Sequence, residues 1–260
     1  MKAKVVILCG GMGTRLREET EYRPKPLVEI GGKPVLWHIM KIYSQYGFND
    51  FILCLGYKGH MIKEYFLNYQ FMNSDFTLHL NSGKQPEFHP PLQQDHWTIT
   101  FAETGAEAQT GARLKRVGRY LQDDHFMFTY GDGVGDVNIS KLWEFHLARG
   151  KIGTVTGVLP ASRYGELSLS GNIVAEFSEK PYPEDRFISG GFFVFKRCFL
   201  DYLSAEDSCV LEREPLEKLA HEGQFIAYLH PGFWHSMDTY RDFTRLNELW
   251  KKGAPWKVWE

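Results

Sequence analysis

Residues 4–16, KVVILCGGMGTRL, set a short, continuous, β-branched apolar run against a cluster of glycines. The run is too short for a helix of its own and stops at a glycine pair, so KVVILC reads as a buried strand. A glycine-rich turn at the end of such a strand lets backbone N–H groups come close to an anion, because no Cβ intervenes and unusual φ values are open. Two familiar phosphate templates fail here. The dinucleotide fingerprint read from Gly11 needs glycine at position 16, which is Leu16, and no G-K-[ST] follows the required spacer. Beyond the turn, Pro34 suits the first position of a helix in which Leu36, Ile39, Met40 and Tyr43 share a face. DFILCLG is a second strand, and Ile62, Tyr65, Phe66 and Tyr69 repeat the helical spacing. Strand, helix, strand, helix predicts an α/β fold: a doubly wound, mostly parallel, Rossmann-like sheet with helices on both faces and ligands beyond the carboxyl ends of the strands.

Farther along, residues 73–97 carry little periodicity and read as an excursion at the rim of the sheet. WTITFAE resumes as a strand, Leu114, Val117 and Leu121 mark a helix, and HFMFTYGDG is a strand ending in an aspartate between glycines. From Ile152 strands dominate (TVTGVL, ELSLS, GGFFVFK), followed by a helix near Pro215–His221, the strand QFIAYLH and a last helix over Tyr240–Trp250. No internal repeat or low-complexity linker interrupts the chain, so residues 1–260 are expected to form a single domain.

Thirty basic residues against thirty-two acidic ones leave no whole-chain field to drive nucleic-acid or membrane binding, so any anion site is local. No apolar run approaches the ~20 residues of a membrane span, and Cys9, Cys54, Cys198 and Cys209 form no C-x-x-C pair; a soluble, cytoplasmic protein is expected. His230 and His235 flank Pro231 and Gly232 without a zinc pattern. The tryptophans of WKKGAPWKVWE read as buried or as subunit contacts.

Lys25 stands between Pro24 and Pro26, a setting that biases its backbone to extended conformations, and Arg15 adds a forked donor two residues past Gly13. Together they describe a polyphosphate cradle. Asp132, between Gly131 and Gly133, and Asp238 are oxygen ligands of the kind Mg²⁺ prefers; equally, an aspartate in GDG suits a turn and Asp238 suits a helix N-cap. Asp136 and Asp242 are competing carboxylates. Glu179 and Lys180 pair an acceptor with a cation next to Pro181, and also read as a solvated pair.

GGMGTRL, PKPLVEIGGKP, YGDG, FSEKP and MDT, in this order over residues 10–239, resemble the sugar-1-phosphate nucleotidylyltransferase family. TGARLKRV, GGFFVF, HPGFWHSMDTYRD and APWKVWE resemble its cytidylyl-transferring branch. The resemblance implies transfer from CTP to glucose 1-phosphate, with Mg²⁺ as cofactor, a homo-oligomer, and a role in nucleotide-sugar supply for O-antigen-type polysaccharide. It implies a nucleotide-binding half, 1–136, and a sugar-binding and oligomer-contact half, 137–260. Arg15 and Lys25 are the implied catalytic residues. The nucleotide falls to Leu8, Cys9, Gly10, Gly11, Met12, Gly13, Thr14, Arg15, Lys25, Thr104, Gly105, Arg113, Gly131 and Asp132. The sugar phosphate falls to Gly165, Glu179, Lys180, Gly190 and Gly191, and the metal to Asp132 and Asp238. Carbonyls near Thr104 and Gly105 would accept from cytosine's amino group while Arg113 donates to its O2 and N3 side. UTP- or dTTP-dependent transfer, a non-catalytic nucleotide-sugar sensor and a nicotinamide-dependent oxidoreductase are the alternatives.

Overall fold

The apolar run at Val5–Leu8 is continuous because both faces of its strand are covered. Val5 and Ile7 enter one hydrophobic cluster and Val6 the other, each fully buried. The computed structural model of the chain describes residues 3–80, 83–90, 95–159, 166–170, 173–178 and 187–260. Seven strands form the central sheet: β1 (Val5–Leu8), β2 (Asp50–Leu55), β3 (Thr98–Glu103), β4 (His125–Tyr130), β5 (Gly153–Val158), β6 (Ile188–Lys196) and β7 (Phe225–His230), in the order β7-β5-β6-β4-β1-β2-β3. β1 is parallel to β2 and β4, β2 to β3, and β5 to β7. Only β6 runs against its neighbours β4 and β5.

Helices α1 (Val35–Gln45), α2 (Gly59–Leu67), α4 (Ile139–Arg149) and α6 (Tyr240–Lys251) contribute apolar side chains to the cluster of Val5 and Ile7. Helices α3 (Thr110–Val117) and α5 (Glu214–His221) contribute to that of Val6. The expected doubly wound sheet is therefore observed, with α1 beginning one residue after Pro34. The chain runs from β1 to β2 and β3 on one side, then returns to β4 on the other. That reversal opens a crevice beyond the carboxyl ends of β1 and β4, where ligands bind in such sheets.

The excursion after α2 is built from a short helix, Tyr69–Asn73, and an antiparallel pair, Phe76–Thr77 with Glu87–Phe88. Asp95 anchors it by accepting from Lys41 (2.9 Å) and the Tyr69 hydroxyl (2.5 Å). Leu67, Met72, Leu78 and Leu80 remain exposed there.

The chain's aromatic end is core, as its sequence suggested. Trp256 is fully buried and Trp259 nearly so, and both rings lie about His38 together with Trp250. His38 Nε2 faces the Ile30 carbonyl at 2.8 Å, and the Trp256 indole N–H donates to Nδ1 at 3.4 Å. Only a neutral imidazole satisfies both, and burial lowers its pKa from the ordinary 6.5 to about 4; burial does the same to His146. With the folded pKa below the unfolded one, the unfolded chain binds more protons on acidification. Stability is thus full above about 6.5 and falls as pH drops toward 4, by about 2 kcal/mol per histidine near pH 5. Denaturant melts of His38→Gln should show a shallower acid slope than the unaltered chain; an identical slope would remove His38 from this account.

Candidate active site

The glycine loop leaves β1 under strict local constraint. Cys9 N–H donates to the Cys54 carbonyl at 3.0 Å, keeping the loop's first step against the end of β2. Gly13 takes the left-handed φ of 62° and starts a 3-10 turn, Thr14–Leu16, beneath which the Thr20 hydroxyl donates to Gly13 and Leu16 carbonyls. Among the described residues, the amides of Gly10, Gly11, Met12 and Gly13 donate to no protein acceptor. Gly11 has nothing within 4 Å of where a Cβ would stand. Open amides on an uncrowded loop are a ready anion seat.

Gly10 has a different task. A Cβ there would lie 2.2 Å from Arg113 Nη1, and one on Gly56 would lie 2.6 Å from the same atom. Arg113 reaches from α3, nearly buried, to donate to the carbonyls of Gly10 (3.0 Å), Leu55 (3.0 Å), Gly105 (2.7 Å) and Ala106 (3.2 Å) and to the Thr104 hydroxyl (2.9 Å). One guanidinium thus ties together the segments leaving β1, β2 and β3. Its expected direct donation to a base would require giving up bonds of this set. Arg116 similarly holds the Thr104 carbonyl at 2.7 Å.

Lys25 does not lie on an extended strap. It opens a 3-10 turn, Lys25–Leu27, closed by Leu27 N–H to the Pro24 carbonyl (2.8 Å) and Val28 N–H to the Lys25 carbonyl (3.0 Å). Pro26 sits where a turn needs no N–H, so hydrogen bonding in the turn outweighs the preference of a residue before proline. From this turn Lys25 Nζ reaches Asp132 at 2.6 Å and Asp238 at 2.8 Å, while Arg15 Nη2 lies 3.2 Å from Asp238. Burial works against the lysine's charge, but the two aspartates outweigh it and raise its pKa above the ordinary value. Burial likewise opposes the charge of Asp238, and Lys25 and Arg15 outweigh that, leaving its pKa lowered.

The two aspartates meet because Gly133–Gly135, just past β4, pairs antiparallel with Trp234–Ser236, and Met237 N–H donates to the Asp132 carbonyl at 2.9 Å. Asp238 is no N-cap. Thr239 caps α6 in a reciprocal box with Asp242, which is buried, and Asp136 accepts from His230 at 2.8 Å. Both competing carboxylates therefore have structural partners. Two carboxylates and no other ligand type converge here, and among the described residues no cluster of three or more His, Cys, Asp or Glu forms a metal cage. The pair suits a hard cation whose remaining ligands come from substrate phosphates and water.

A cavity of about 290 Å³ joins these parts, lined by Leu8, Cys9, Gly10, Gly11, Gly13, Thr14, Arg15, Lys25, Arg113, Gly131, Asp132 and Asp238. Met12 faces a neighbouring cleft instead, and Thr104 and Gly105 lie behind Arg113. Ala108, Gln109, Thr110 and Tyr130 also line the cavity; Thr110 and Tyr130 open the TGARLKRV and YGDG stretches, but the sequence singles out none of the four as a lining residue. Gly190 and Gly191 are in β6, not in turns: a Cβ on Gly190 would lie 2.7 Å from Val158 Cγ1, and Gly191 (φ 77°) lies against the Tyr130 ring. Gly165, Glu179 and Lys180 lie outside the described residues.

An α/β sheet covered by helices on both faces, with an open glycine loop and paired aspartates at its switch point, defines a class, and the chain belongs to the nucleotidyl transferase family, whose pattern it matches over residues 4–252. It is 50% identical over 259 residues to the glucose-1-phosphate cytidylyltransferase of Salmonella typhi, covering 99% of this chain and all of that one. It is 45% identical to the probable glucose-1-phosphate cytidylyltransferase of Bacillus subtilis, covering 98% of this chain and all of that one. Its fold is similar to that of a putative glucose-1-phosphate thymidylyltransferase from Bacillus anthracis, with a TM-score of 0.70, 18% identity and 95% of each chain covered. Among the described residues no helix is long and apolar enough to cross a membrane.

Proposed function

We propose that this chain transfers the cytidylyl group of CTP to α-D-glucose 1-phosphate, giving CDP-glucose and pyrophosphate. The observation that carries nucleotidyl transfer is the meeting of unpartnered loop amides with Lys25, Arg15, Asp132 and Asp238 in one cavity. The choice of CTP and glucose 1-phosphate rests on the relatives 50% and 45% identical over nearly their whole length. The sugar phosphate is ionised at neutral pH and attacks the α-phosphorus without a general base, so the protein's work is in-line positioning and compensation of charge.

In this reading the loop amides and Arg15 hold the leaving β- and γ-phosphates, and Lys25 serves the α-phosphate where charge shifts during transfer. Lys180 takes the incoming phosphate and Glu179 the sugar hydroxyls, with Gly165, Gly190 and Gly191 along the hexose. Asp132 and Asp238 hold Mg²⁺, which when bound polarises and aligns the phosphates. The carbonyls of Thr104, Gly105 and Ala106, each oriented by Arg113 or Arg116, keep a second lone pair for cytosine's amino group. Arg113 then acts on base choice by fixing acceptors. A homo-oligomer belongs to the same reading; the exposed Leu67, Met72, Leu78 and Leu80 that support it lie in the first half, not in residues 137–260 where the contact was expected.

Offering each nucleoside triphosphate with glucose 1-phosphate and following pyrophosphate release tests the proposal. An unpaired polar group costs ~1–3 kcal/mol, so kcat/KM for CTP should exceed that for UTP at least about tenfold. Equal values would overturn the cytidylyl reading and leave nucleotidyl transfer standing, and no turnover with any triphosphate would end the proposal.

A further inference from the structure

Lys25 Nζ lies 2.6 Å from one aspartate of the proposed metal pair and 2.8 Å from the other, with its side chain 12% exposed. A single atom within charge-assisted hydrogen-bonding range of both carboxylates is itself a cation in a bridging position. Among the described residues no other group does this: Arg15 approaches Asp238 alone, and the Ser236 hydroxyl donates only to the second oxygen of Asp238, at 3.1 Å. A divalent cation seeking the same oxygens meets a positive charge already seated between them.

We infer that Lys25 is the resident counter-ion of the Asp132–Asp238 pair, and that it must leave before both carboxylates are free for a divalent cation. The inference rests on the reading of these aspartates as the metal ligands. The backbone of the Lys25–Leu27 turn is closed by its own hydrogen bonds, so the movement falls to the four-carbon stem. The nucleotide's phosphates supply the alternative partner: they draw the ammonium onto themselves and leave the aspartates free at the same moment. Metal and nucleotide then favour each other's binding, and by linkage the factor is the same in both directions. Without nucleotide the chain holds its metal weakly, because the lysine competes for it. This gives one residue two successive partners, carboxylates before substrate arrives and phosphate afterward.

The test is Mn²⁺ binding to the nucleotide-free chain, read by electron paramagnetic resonance, with circular dichroism confirming that each variant is folded. Lys25→Met should bind Mn²⁺ at least about tenfold tighter than the unaltered chain, and Lys25→Gln, which keeps a polar head, should shift the same way. Adding Asp132→Asn or Asp238→Asn to Lys25→Met should abolish the gain. Equal or weaker Mn²⁺ binding by both lysine variants would overturn the counter-ion role; if the single aspartate variants still weaken Mn²⁺ binding in the presence of CTP, the metal pair survives that result. Mn²⁺ binding that no aspartate substitution alters would overturn both.

Discussion

Asp132→Ala and Asp238→Ala are each expected to lower turnover by about a hundredfold, equivalent to ~3 kcal/mol, while leaving the fold in place. The selectivity follows from where the structural work is done. The cap of α6 is Thr239 with Asp242, and the pairing that brings the two aspartates together is made by backbone groups, so neither carboxylate holds up an element. Each substitution removes one carboxylate of the proposed metal pair and leaves Lys25 with one partner in place of two. Steady-state rates over a Mg²⁺ titration check this, with thermal melts alongside. A near-normal rate at saturating Mg²⁺ in either variant would remove that aspartate from the mechanism, and a collapsed melt would mean it is structural.

Substitutions at the Gly10–Arg113 contact should be the most damaging to the loop. In Gly10→Ala the new methyl carbon would stand 2.2 Å from Nη1 and 2.5 Å from Cζ of a guanidinium held by five acceptors, so it must displace the arginine or the loop. Arg113→Ala leaves the Gly10, Gly105 and Ala106 carbonyls short of a buried donor, with an expected loss of about 3–5 kcal/mol in stability. Gly10→Ala should cost about 2–4 kcal/mol alone and distinctly less in the Arg113→Ala background, since the clash has been removed. A double-mutant cycle by urea denaturation measures this coupling. Strict additivity would show that the glycine answers to something other than the arginine.

Much of the fold is legible in sequence because its signals are local. The apolar run at Val5–Leu8 requires a strand covered on both faces, and the spacing of Leu36, Ile39, Met40 and Tyr43 requires a helix against it; both are observed. The position of Asp132 just past a strand, at the edge of the sheet, was legible from its glycine neighbours. Arg113 was misread because its partners are distant in sequence: nothing near position 113 indicates that its guanidinium is engaged by carbonyls at 10 and 55. A usable signal existed in Gly10 and Gly56, glycines following two adjacent parallel strands, which is what a bulky side chain lying across both strand ends demands. Lys25 was misread for the opposite reason, a local rule about prolines yielding to the hydrogen bonds of a turn. Thr110 and Tyr130 stand in the TGARLKRV and YGDG motifs, but their meeting was not legible, since their common acceptor Glu212 comes from far along the chain.

The short ribbon joining Gly133–Gly135 to Trp234–Ser236 works as a buckle. Its register, Ser236 opposite Gly133, fastens Asp132 and Asp238 at one separation whatever path the chain takes between them. Between the two strands of the ribbon the chain supplies β5, β6 and β7 to the central sheet, so the buckle fastens the pair of carboxylates to the core itself. An insertion inside the ribbon itself would unfasten them. Substitutions elsewhere that spare this backbone pairing leave the separation of the two carboxylates as it is.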